Sequence, residues 1–196
     1  SVIDVAKDIF YKTGHNAKFV VGDALNLPFE NESFDVLVSI GLFEHFEDLD
    51  KLISEHNRVL KKGGIVLAYV VPEIKNNVQT KFNFINSILK FIYLLFYNNS
   101  KSQLKEKVFR SDYNSCYYKK IINKTNMKNV SSYGMYPLPM ISHSPEFPFS
   151  LLPKVGEYFV TKLFKIILSI RQFVFKKNPW ICNEEFGQAF LITYQK

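Results

Sequence analysis

Glycine is thin in this chain. Of 196 residues only 8 are glycine, and no two of them form a Gly-x-Gly pattern. No loop therefore has the glycine density that lets a backbone close in on a bound cofactor. Cysteine is thinner still. Cys116 and Cys182 stand far apart, with no C-x-x-C pair and no histidine at ligand spacing. That excludes a disulfide framework and a cysteine-rich metal site, and leaves two ordinary thiols of a reducing compartment. No signal peptide is visible, no internal repeat occurs, and the chain starts at Ser1 without Met. The strongly apolar run 82–97 falls short of the ~20 residues of a membrane span.

What is present is a globular composition, 47% hydrophobic and 22% charged, rather than a disordered one. The length suits one domain with a real core. The net charge of +7 hides an asymmetry: residues 1–60 carry 11 acids and 5 bases, residues 61–196 carry 7 acids and 20 bases. A basic half points to nucleic acid or an anionic membrane as partner, or to a solvated lysine-rich surface.

The stretch from Phe19 to Val71 organises the rest. Residues 34–41 and 65–71 are short apolar runs rich in Val and Ile, the pattern of strands buried on both faces of a parallel sheet. Between them Leu49, Leu52, Ile53, Val59 and Leu60 recur at helical spacing over 48–61, with one apolar face. Asp48 suits the N-cap, Glu47 and Asp50 the positive end, Lys61 and Lys62 the negative end, and Gly63 the left-handed stop. Upstream, residues 18–22 read as a short strand ending at Gly22-Asp23. Val2, Val5, Ala6, Ile9 and Phe10 form a helical stripe that Gly14 ends. Strand, capped helix and strand make a βαβ unit, so the fold class is α/β.

The ordered motifs Asp23-Ala24, Leu27-Pro28-Phe29, Ser33-Phe34-Asp35, Glu44-His45 and Arg58-Val59-Leu60-Lys61-Lys62-Gly63-Gly64 resemble a family. They are similar to the S-adenosylmethionine-dependent methyltransferases of Rossmann-like fold, the small-molecule type that includes the ubiquinone and menaquinone methylases. The resemblance spans roughly residues 2–73. It implies S-adenosyl-L-methionine as cofactor, with Asp23 accepting from the adenine amino group and the Ala24 amide meeting a ring nitrogen. The backbone of Ser39, Ile40 and Gly41 would face the methionine end. Apart from the resemblance, Asp23 reads equally as a turn or cap aspartate. His45, just beyond, is the candidate base if the acceptor must lose a proton, or else a helix-entry residue bonded to backbone.

The family's Gly-rich loop and ribose-binding acid have no counterpart here. The chain is accordingly expected to be the C-terminal part of a longer protein: a methyltransferase sheet lacking its first two strands, inactive alone. Ser39-Ile40-Gly41-Leu42 stands where base methylases resemble one another in an Asn/Asp-Pro-Pro-aromatic motif, so DNA is not expected as substrate. No acidic trio suggests a magnesium-dependent enzyme, and no metal is expected.

Past Pro72, residues 73–81 read as a loop, 82–97 as a lid or core helix, 101–110 as solvated, 113–128 as a helix and 130–136 as a strand. Residues 129–134 sit where the family's sixth strand would be, and 190–194 where the seventh, antiparallel strand would be. Between these lie Pro-rich 137–153 and an apolar-basic helix at 158–177. The organisation expected is a core at 1–73, a lid region at 74–128, and C-terminal strands at 129–196 with a helical insertion at 137–187. The function expected is methyl transfer to a small apolar or amphipathic acceptor in the cytoplasm. Segment 158–177 is either a peripheral membrane contact or a helix packed on the sheet. The alternatives are a non-catalytic or membrane-associated module and, less favoured, an RNA methyltransferase.

Overall fold

A computed structural model describes residues 2–73, 77–96, 109–142 and 151–196. The expectations for 101–108, for 74–76 of the loop at 73–81, and for 143–150 of the Pro-rich stretch lie outside the described residues. Five helices and five strands follow in the order α1 (Val2–Lys12), β1 (Phe34–Ile40), α2 (Leu49–Val59), β2 (Leu60–Val70), α3 (Asn83–Phe96), α4 (Ser115–Ile122), β3 (Lys128–Met135), α5 (Lys154–Phe175), β4 (Ile181–Cys182) and β5 (Ala189–Gln195). They build one sheet in the order β1-β2-β5-β3-β4.

β1 and β2 are parallel, and β5 runs antiparallel to β2 and to β3. The parallel pair is the βαβ unit read from the sequence, and β5 is the expected antiparallel strand lying between β2 and β3. Alternate residues of the strands, Val66, Ala68 and Val70 on β2 with Phe190, Ile192 and Tyr194 on β5, are buried against Leu52 and Ile53 of α2 and Tyr118, Ile121 and Ile122 of α4. That is one apolar core on one face of the sheet.

The opposite face departs from expectation. Val36, Val38 and Ile40 are 53%, 62% and 74% exposed, so β1 is not buried on both sides. It is an edge strand, and among the described residues no helix covers that face. The stripe of α1 is also open, with Val5 and Ile9 exposed, although Phe10 meets Phe19 edge to face at 5.2 Å. Gly14 does end α1, at φ +70°, while the His15 amide donates to the Phe10 carbonyl.

Three boundaries need correction. Residues 18–22 form no strand, because a strand exists only through a neighbour and none pairs with this run. α2 starts as read, with Asp48 accepting from the Lys51 amide at 2.9 Å, but it stops at Val59 rather than running to Lys61. Leu60, fully buried, already belongs to β2; Arg58 O and Val59 O accept from the Glu32 and Ser33 amides at 2.9 and 2.8 Å, and Lys196 Nζ donates to Asn57 O at 2.8 Å and Leu60 O at 2.7 Å. Gly63 does adopt a left-handed φ of +78°, inside β2, where the pairing jumps from Phe34↔Leu60 to Val36↔Ile65. Finally, α4 is shorter than 113–128: Asn114 caps it by accepting from Tyr117 N, and the chain turns after Ile122.

The buried histidine of α2 makes stability depend on pH. His56 is 6% exposed and its Nδ1 donates to Leu52 O at 2.8 Å. Burial pushes its pKa below the ordinary 6.5, against the opposing pull of the Leu52 carbonyl and Glu55. The unfolded chain takes up a proton below about 6.5 while the folded one does not, so stability is present above that pH and falls as pH drops through the window beneath it. Glu55, held below its ordinary 4.5 mainly by its hydrogen bond from Arg58, loses its contribution only at lower pH. Melting temperature is therefore expected to drop between pH 7 and 5 for the wild type, and to drop less for His56→Gln.

Candidate functional site

Ligands of open α/β sheets sit at the carboxyl ends of the strands, and here β1 ends at Ser39-Ile40-Gly41. Gly41 turns the chain at φ +62° while its amide donates to Tyr69 O at 2.9 Å. A side chain would strain that left-handed conformation. A cavity of about 390 Å³ opens beside this strand end, lined by Ser39, Ile40 and Gly41 together with Leu27, Phe29 and His56. Ser39 is 7% exposed, and its Oγ has no hydrogen-bond partner among the described residues.

Asp23 and Ala24 lie outside this cavity lining. Asp23 is exposed and forms a turn, its Oδ1 accepting from Leu25 N at 2.9 Å and its carbonyl from Asn26 N at 3.0 Å. That is the local role available to an aspartate in a loop. Ala24 and Leu25 pack against the core and anchor the turn.

His45 closes a 3-10 turn, Phe43–His45, just past the strand end. Its Nδ1 lies 2.6 Å from the carbonyl of Phe109. A carbonyl only accepts, so Nδ1 carries a proton, and in the neutral ring it is Nε2 that has the lone pair. The same segment is stitched on by Ser111, whose amide donates to Glu44 O at 2.8 Å.

Two features escape sequence reasoning. Glu44 is fully buried, and neither carboxylate oxygen has a partner among the described residues. An uncompensated buried carboxylate is costly, and it marks a place where a cation or hydrogen-bond donor is due. Tyr69 and Tyr118 lie within its electrostatic reach. Burial pushes both phenols up, Tyr118 to about 12, with Glu44 adding to the rise. The pairing of Glu44 with His45 in sequence was the available signal, but nothing local says that one is sealed in and the other half-buried.

The second is Arg58. Its Nε and Nη2 grip the Glu55 carboxylate at 2.9 and 2.7 Å, while the guanidinium also donates to Phe29 O, Asn31 Oδ1 and Leu27 O at 2.8, 2.9 and 3.0 Å. Glu55 in turn accepts from Leu27 N at 2.7 Å. This fork clips the loop 27–31 onto α2 and so holds one wall of the cavity.

Part of the chain around this geometry is similar to known proteins. Residues 1–68 match the family model described as Methyltransferase domain. This segment is similar to methyltransferase-domain sequence, and its motifs resemble those of the S-adenosylmethionine-dependent methyltransferases. Over 74 residues the chain is 42% identical to phthiotriol/phenolphthiotriol dimycocerosates methyltransferase of Mycobacterium leprae, covering 37% of this chain and 27% of that protein. Over 88 residues it is 36% identical to demethylmenaquinone methyltransferase of Staphylococcus saprophyticus, covering 42% and 37%. The chain thus spans between about a quarter and two fifths of these relatives' length. The fold also resembles the YcgJ protein of Bacillus subtilis at TM-score 0.52 and 20% identity, covering 98% of this chain and 77% of that one.

The residues present fit part of such a cofactor. The left-handed Gly41 and the unpartnered Ser39 hydroxyl leave polar capacity beside an apolar cavity. Among the described residues no three His, Cys, Asp or Glu side chains group as a metal site.

Exchanging Arg58 for lysine keeps the charge but loses the planar fork. Arg58→Lys is expected to leave α2 helical while limited chymotrypsin cleaves at Leu27–Phe29 about tenfold faster, since cleavage tracks the population of the opened loop. Unchanged cleavage there would remove the fork's role.

Proposed function

We propose that the chain contributes to S-adenosylmethionine-dependent methyl transfer onto a small apolar or amphipathic acceptor. The observation that carries this reading is the methyltransferase match over residues 1–68 falling on the strand end where Gly41, Ser39 and the cavity lie. In this reading Asp23 and the Ala24 amide hold the adenine, and Ser39, Ile40 and Gly41 take the methionine end. When bound, the cofactor supplies a methyl group activated on a sulfonium. The chain's own part is to bind, align and exclude water. His45 Nε2 receives a proton where the acceptor must lose one.

In this reading α3, within the region expected as a lid, covers the site, and the described part of the insertion at 137–187 helps to select the acceptor. An apolar acceptor accords with the apolar cavity lining, and with relatives whose names place them on a demethylmenaquinone and on a dimycocerosate lipid. A peripheral membrane contact through 158–177 belongs to the same reading, supported by the exposed apolar side chains of that segment.

Titrating S-adenosylhomocysteine into an isotope-labelled longer form that also carries the Gly-rich loop, followed by amide shifts, tests the site without requiring turnover. Shifts are expected first at Ala24 and Gly41, and Asp23→Ala is expected to weaken binding by about one to two decades, the worth of a hydrogen bond to a charged acceptor. Saturating shifts confined to other elements would overturn the assignment. For His45, the expected outcome of His45→Ala in a longer form that carries the Gly-rich loop is turnover lowered by about 10²–10⁴ with ligand shifts retained. A loss under tenfold assigns the ring to holding the Phe109 carbonyl.

A further inference from the structure

α5 carries two apolar arcs where packing needs one. At about 100° per residue, Val160, Phe164, Ile167 and Leu168 share the side that is buried or half-buried. Phe159, Leu163, Ile166, Ile170, Phe173 and Val174 share another, and each is at least 50% exposed, Phe173 reaching 84%. Lys154, Lys162, Lys165, Ser169 and Gln172 line the strip along one border of that open arc. Lys176 and Lys177 follow the helix end. The helix's one acid, Glu157, lies toward the packed side and is half-buried. Among the described residues none of these lysines makes an ion pair.

We propose that the open arc of α5 inserts into the interface of an anionic lipid bilayer, with its lysines at head-group level. A broad apolar arc bordered by unpaired lysines is the make-up of an interfacial helix. Charge decides against a second copy as occupant: two such faces would bring lysine strips together with no outward acid to answer them. α3 presents a comparable arc, with Phe84, Ile88, Phe91 and Leu95 each more than half exposed. No described helix is long and apolar enough to cross a membrane, so the contact is one that lies on the surface.

The inference deepens the membrane contact of the proposed function, and because its readout needs neither cofactor nor acceptor, its failure is distinguishable from a failure of methyl transfer. The chain is sedimented with vesicles of equal phosphatidylglycerol and phosphatidylcholine, and with phosphatidylcholine alone. Binding to the anionic vesicles is expected, with much less to the neutral ones. Each lysine near an anionic surface strengthens partitioning about fivefold, so Lys162→Glu, Lys165→Glu and Lys176→Glu together are expected to weaken it at least about a hundredfold. Ile166→Asp with Ile170→Asp, exposed positions whose folding is checked by circular dichroism, is expected to lose binding with every lysine intact. Wild type remaining in the supernatant with both vesicles overturns the proposal. So does a triple variant that binds like wild type, or a concentration-dependent dimer in light scattering that the Ile166→Asp/Ile170→Asp variant abolishes.

Discussion

β2 is the constraint to which the other elements answer. It pairs in parallel with β1 on one side and antiparallel with β5 on the other, and its alternate residues Val66, Ala68 and Val70 are wholly out of water. Once β2 is placed, α2 has to lie across the face that buries Leu52 and Ile53. β1 has to end beside Tyr69, whose carbonyl takes the Gly41 amide. The turn at Gly41 and the cavity beside it follow from that one hydrogen bond at the end of the ladder. The Arg58 fork completes the arrangement from the helix side, converting a loop with little regular structure into a fixed wall.

Local features were legible and distant ones were not. Asp48 can be read as a cap because its acceptor and the Lys51 amide are three residues apart. Gly14 and Gly63 can be read as left-handed because no other residue type adopts that conformation as cheaply. The end of α2 was beyond reach: Arg58 O and Val59 O are satisfied by the Glu32 and Ser33 amides, and Asn57 O by Lys196, 139 residues away, and no sequence window spans that. The run 18–22 has strand-forming residues, yet strand formation is a property of a pair. Arg58 stands inside a recognisable motif, but its acceptors at 27, 29, 31 and 55 are assembled only by the fold.

The site shows the same division. Ser39, Ile40 and Gly41 are expected at the cofactor by resemblance to the family; they line one cavity, and their role toward a cofactor is a proposal. Asp23 is a turn residue by its hydrogen bonds. The cofactor role proposed for it rests on resemblance and not on its present contacts. Glu44 reverses the problem. Its sequence neighbour His45 draws attention as a candidate base, whereas the carboxyl group beside it is the one sealed from water with no partner among the described residues.

The charge asymmetry of the chain resolves into two populations. Three bases of the second half reach back to acids of the first: Lys61 to Asp35, Lys124 to Asp50 and Lys196 to Glu32, at 2.9, 3.4 and 3.6 Å. Exposed pairs of this kind stabilise little individually, from nothing to about 1 kcal/mol each. Their consequence is directional. They draw the last strand and α4 toward the acidic βα unit and leave those lysines unavailable to a partner. The lysines of α5 have no such acids opposite them among the described residues. A basic half that looked uniform in composition therefore divides into charge already answered within the fold and charge left facing outward, and part of the outward share lies beside the open apolar arc of α5.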